Sequence, residues 1–82
     1  MKLPVIKQIQ RTSSADEIET AIKVLEATSE AATLKEADLD IIGELISNMC
    51  GALEVHQLTG GGLSEKDALN TFMKKVMGSI DV

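Results

Sequence analysis

Eighty-two residues are enough for one domain. A net charge of −5, with Lys74-Lys75 as the largest local basic run, argues against a nucleic-acid partner, which needs a basic footprint. With 26% charged residues and no run near the ~18 apolar residues of a span, the chain is not expected to be a membrane protein.

The first ten residues, MKLPVIKQIQ, allow two readings. Pro4 near the start and the spacing of Leu3, Ile6 and Ile9 with Val5 predict a short helix. The β-branched residues would equally suit an extended arm. We read the segment as helix. Broken by Pro4, Lys7 and Gln8, it is not expected to be a signal peptide. Arg11 to Ser14 reads as a connector. Ser14 with Glu17 three residues on is a capping box and starts a helix from about Ala15 to Ala31. Asp16, Glu17 and Glu19 suit the positive end of its dipole. Ile18, Ala21, Ile22, Leu25 and Thr28 or Ala32 mark its buried face. Thr33 with Glu36 repeats the capping pattern and could open either a separate turn or the next helix.

From Glu36 to Thr59 runs the longest unbroken helical pattern. Leu39, Ile42, Ile46, Met49, Leu53 and His56 recur at steps of three and four, which keeps them on one face. Ile41, Leu45 and Ala52 flank that stripe on one side and Cys50 on the other, so the apolar arc covers half the circumference or more. Asp40, Glu44, Ser47, Glu54 and Leu58 fill the remaining arc. Gly43 and Gly51 sit near the polar side and read as tolerated surface glycines; close approach by another helix is the alternative. An arc that wide, in a chain whose other helices are short, predicts packing against a second copy.

Gly60-Gly61-Gly62 lets the chain stop and reverse. Ser64 then caps a last helix, with Asp67 as the box acid. Leu69, Phe72, Met73, Val76 and Met77 mark its buried face, Gly78 its end, and Ser79 to Val82 a tail whose Ile80 could dock on the bundle. The expected fold is all-α: a single domain over residues 1–82, a small bundle of three to four helices around a central helix of about 36–59, paired as a dimer. Phe72 is the one aromatic residue, so the core must be built from Leu, Ile, Val, Met and Ala.

The residues that could carry chemistry cluster on the central helix. His56 lies in the apolar arc, where a histidine can act as base, metal ligand or proton switch. The ordinary reading is a core histidine bonded to a nearby carboxylate or carbonyl. Met49, Cys50 and Ala52 complete the candidate pocket around it. Cys50 and His56 are six apart, about 120° around the axis, so they do not form a nucleophilic pair; Cys50 reads first as a small buried hydrophobe. Neither Glu54 nor Asp38 stands at i±3 or i±4 from His56, so no metal site within this helix and no cofactor are expected, a site built across a dimer being the alternative. The triple glycine lacks the Lys-Ser/Thr ending of a phosphate loop and reads as a turn. A single cysteine makes no intrachain disulfide, which fits a reducing, cytoplasmic setting.

Residues 39–78 resemble the redox half of the alkylhydroperoxidase-D-like, or carboxymuconolactone decarboxylase, family. That family carries C-x-x-C-x-x-x-H on a helix, then a loop and a Gly-Leu-Ser/Thr-x-x-Asp/Glu opening. His56 stands at the histidine position, and Gly62-Leu63-Ser64-Glu65-Lys66-Asp67 matches the opening. The two cysteine positions fall on Met49 and Ala52, with Cys50 one residue out of register. The family's chemistry needs a thiolate and a resolving thiol. The resemblance therefore implies a relative without that chemistry: a helical, oligomeric frame with a histidine pocket, serving a redox system as partner and not as catalyst. Acyl carrier proteins share the length and acidity, but Asp38-Leu39-Asp40 has no serine to carry a prosthetic group. The function expected is thus a cytoplasmic, non-catalytic, homo-oligomeric protein-interaction module. The alternative is a degenerate redox-associated or ligand-binding protein with a pocket at His56.

Overall fold

Four helices form in the order the sequence prescribes: α1 (Leu3–Thr12), α2 (Ala15–Thr28), α3 (Glu36–Gly60) and α4 (Glu65–Ile80). They are seen in a computed structural model that describes residues 2–80, with backbone alone for 78–80. No strand occurs among the described residues.

Each boundary has a local cause. α1 is a helix and not an arm, with Pro4 in its first turn, where a missing N–H does no harm. It continues through Thr12, so the link to α2 is only Ser13 and Ser14, shorter than the connector expected from Arg11. Ser14 closes the expected capping box: Glu17 N–H donates to Ser14 Oγ at 3.2 Å, and Ser14 N–H donates to Glu17 Oε1 at 2.9 Å. α2 stops at Thr28, three residues before the expected Ala31. There the hydroxyls of Thr28 and Ser29 donate back to Val24 O and Glu26 O, at 2.7 and 2.6 Å, competing for the carbonyls of the last turn.

α3 does not open on a Thr33–Glu36 box. Its cap is Lys35, whose N–H donates to Asp38 Oδ2 at 3.1 Å. It closes one residue later than expected, with Gly61 N–H on Gln57 O at 3.1 Å and Gly62 at φ +111° turning the chain. Ser64 Oγ accepts from Asp67 N–H at 3.2 Å and starts α4. Gly78 does not end α4, whose backbone runs helical to Ile80. Docking by the Ile80 side chain and the tail at residues 81–82 lie outside the described residues.

The three shorter helices all pack on α3. The buried apolar core is Ile6 from α1, Ile18 from α2, Ala52 and Val55 from α3, and Ala68, Leu69 and Phe72 from α4. On α3 the deepest line is Asn48, Gly51, Ala52 and Val55, not the expected stripe. Of that stripe, Ile42, Ile46, Met49, Leu53 and His56 are half-buried, and Leu39 is exposed. The reason is size. Where α1 and α4 close on α3, only small side chains leave room. A Cβ on Gly51 would stand 2.9 Å from Ile6 Cδ1 and 3.0 Å from Phe72 Cζ. Gly51 is therefore a close-approach glycine and not a tolerated surface one, whereas Gly43 has open space around it. On α4, Met77 is exposed instead of buried, and Ala68 takes a core place that periodicity did not mark.

Among the described residues, ion pairs tie α4 down. Arg11, at the end of α1, donates from Nε to Glu65 Oε1 and Oε2 at 3.1 Å and from Nη2 to Oε1 at 2.6 Å. Lys75 pairs with Glu54 of α3. The core occupies the C-terminal half of α3; the other half extends beyond it with α2. The radius of gyration is 13.8 Å and the extents are 43 × 31 × 18 Å, against a radius of about 12 Å for a compact chain of this length.

The two glycines of α3 should respond to alanine in opposite directions. Gly43→Ala gains helix propensity in open space and should raise stability by up to ~1 kcal/mol. Gly51→Ala presses a methyl onto Ile6 and Phe72 and should lower it by ~1–2 kcal/mol, the overpacking cost less the propensity gain. Urea denaturation of the two variants, read by circular dichroism, measures both.

Candidate functional site

The α1–α2 joint gathers much of the polar chemistry. Ser13 caps α1 in an extended conformation, φ −134° and ψ 143°, and its N–H donates to Ile9 O at 3.0 Å. Its own carbonyl has left the helix ladder. His56, one turn before the end of α3, reaches that carbonyl from Nε2 at 2.7 Å. A carbonyl oxygen can only accept, so Nε2 carries the hydrogen and His56 donates. That nitrogen is then occupied as a structural donor, not open as a base or a ligand. This is the ordinary role expected for a core histidine, with a backbone carbonyl as the partner. Next to it, Glu17 holds Ser14, and Arg11 holds Glu65.

The other candidates do not gather around His56 in one cavity. Ala52 is fully buried between helices, Met49 is half-buried against the core, and Cys50 is exposed. Cys50 is thus not the small buried hydrophobe expected, because its side of α3 is left to solvent. A shallow depression runs along Asp16, Glu17, Thr20 and Ala21 at the start of α2, and none of the four candidates lines it. Among the described residues, no three His, Cys, Asp or Glu side chains converge as a metal site would require.

Asn48 escaped the sequence reading, although it is 2% exposed on the core side of α3. Its Oδ1 accepts from Lys2 N–H at 2.8 Å, and its Nδ2 donates to Glu44 O at 3.0 Å. It fixes the start of α1 against α3, as His56 fixes the joint at its end. The signal was present: Asn48 stands between Leu45 and Ala52 at steps of three and four, a polar residue inside an apolar line.

That line, Ile41, Leu45, Asn48, Ala52 and Val55, is covered by α1 and α4 only from Asn48 onward. Above it Ile41 is 62% and Leu45 40% exposed, with Leu39 at 40% on the same half of α3 and Val24 at 59% on α2. Ile41 and Leu45, four apart, share one side of α3, whereas Leu39 lies on another side of it.

Two outcomes follow from the joint. His56→Ala leaves the Ser13 carbonyl without its donor and should cost ~1–3 kcal/mol in urea denaturation, with His56→Gln, which keeps an N–H, recovering part of it. The second concerns acid. The backbone N–H of Ser14, with its hydroxyl, holds the Glu17 carboxyl below its usual range, and the Arg11 guanidinium does the same for Glu65. Both groups bind a proton less readily folded than unfolded. Their contribution is complete at neutral pH, begins to fall where ordinary glutamates titrate, and is gone below the folded-state values. Stability measured from neutral to acid pH should decline less steeply in a Glu17→Gln/Glu65→Gln chain than in the wild type.

Comparison with known proteins adds one relationship. No curated protein and no solved structure matches the chain. One family model does, over residues 1–81, nearly the whole length. The chain belongs to that family, described as a family of unknown function, DUF6952.

Proposed function

We propose that this protein is a homo-oligomeric protein-interaction module without catalytic chemistry of its own, working as a dimer. The observation that carries the reading is the bare apolar face on the N-terminal half of α3, Ile41 above all. Among the described residues Ile41 stays 62% and Leu45 40% exposed. A domain of this length buries only about 60% of its unfolded surface and has little stability to spare, so association is a usual remedy. No described helix is long and apolar enough to cross a membrane.

The alternative, a redox-associated or ligand-binding relative of the alkylhydroperoxidase-D-like proteins with a pocket at His56, has less behind it. His56 Nε2 is taken up by Ser13 O, and Met49, Cys50 and Ala52 differ widely in exposure. Sedimentation equilibrium of the full chain should give a dimer at tens of micromolar, about the range for a modest interface. A monomer throughout that range would contradict the reading.

A further inference from the structure

We propose that two copies pair antiparallel through the N-terminal halves of α3, with Ile41 and Leu45 of one copy against Leu45 and Ile41 of the other. In this pairing the acidic α2–α3 hairpin of each copy lies along the basic α1 of its partner. This deepens the dimer reading above and rests on it.

The place is set by where α1 begins. Lys2 N–H is bonded to Asn48, so α1 covers the line Ile41–Leu45–Asn48–Ala52–Val55 from its middle outward. Leu45 stands one turn beyond Asn48 on the same side, and Ile41 one turn beyond that. A helix laid over Ile41 and Leu45 continues the packing that α1 starts. Aliphatic residues four apart form the ridge that such helix pairs use.

The area agrees with one partner. The chain exposes 5612 Å², whereas a folded chain of its mass ordinarily exposes ~4800 Å². The surplus, roughly 800 Å² over the whole elongated molecule, leaves room for one side of a standard interface. With a single aromatic residue in the chain and none on this face, strong anchors are few, which fits dissociation at about micromolar.

Charge selects the direction. Residues 14–47 hold nine acidic and two basic side chains, and the rest of the chain holds six basic and four acidic. Within residues 1–13 there are three basic side chains, Lys2, Lys7 and Arg11, and no acidic one. A parallel pair would set one acidic hairpin against the other. The antiparallel pair sets each hairpin beside the partner's α1. Opposed charge of this kind fixes the register of an interface more than it adds affinity.

Sedimentation equilibrium of four chains tests this: wild type, Ile41→Asp/Leu45→Asp, Glu36→Lys/Asp40→Lys, and Lys2→Glu/Lys7→Glu. The wild type should be a dimer. The apolar double variant should be a monomer with its helical circular dichroism intact; Ile41→Ser serves if that variant unfolds. Each charge reversal should raise the dimer Kd about tenfold, and mixing the two reversed chains should restore it to within about threefold. A monomeric wild type overturns both this inference and the dimer reading. A dimer unaffected at Ile41 and Leu45 leaves the dimer reading standing and removes this interface. Reversed chains that fail to rescue one another overturn the antiparallel arrangement, and a trimer or larger species overturns the two-fold.

Discussion

The structure depends on the absence of a side chain at Gly51. Ile6 and Phe72 come from helices far apart in sequence and meet over one backbone position of α3. Their end atoms lie so near that position that a methyl group would have to displace them. Because α1 and α4 both close there, Ala52, Val55, Ala68 and Leu69 are sealed beneath them. The two helices are then fixed at their ends by polar contacts: Asn48 on Lys2 N–H, Arg11 on Glu65, and Lys75 on Glu54. Apolar closure supplies the free energy and the polar contacts supply the register, since exposed ion pairs are individually weak.

From this closure follows the division of α3 into two unlike halves. From Asn48 to Leu58 it is the centre of a small core, with helices on several sides. From Glu36 to Ser47 it leans on α2, and the side that α1 and α4 would cover is open. The same apolar line crosses both halves, buried in one and bare in the other. His56 belongs to the closed half, where it secures the α1–α2 joint by donating to a carbonyl. The open half carries the face on which the proposed contact rests.

The fold was largely legible because its boundaries are written in local chemistry. The Ser14–Glu17 box, the serine at 64 and the glycines at 61 and 62 placed helix ends within a few residues. Periodicity also identified α3 as the hub. It did not identify the side of α3 that lies deepest, because hydropathy marks bulky residues while close approach selects small ones. Asn48, Gly51 and Ala52 carry little hydropathic signal, yet they are buried, and Ile6 and Phe72 close directly over Gly51. Cys50 was misjudged for the related reason that an arc apolar over half its circumference does not say which part is covered. The bond from His56 was legible as a type, a contact with some carboxylate or carbonyl; its partner 43 residues away was not.

Hydrogen exchange across α3, followed at low and high protein concentration, tests the central claim that one half is closed by its own chain and the other by a second copy. Residues 48–58 should be protected at both concentrations, and residues 36–47 should exchange quickly when dilute and markedly slower when concentrated. Uniform protection of the whole helix, unchanged by dilution, would contradict it.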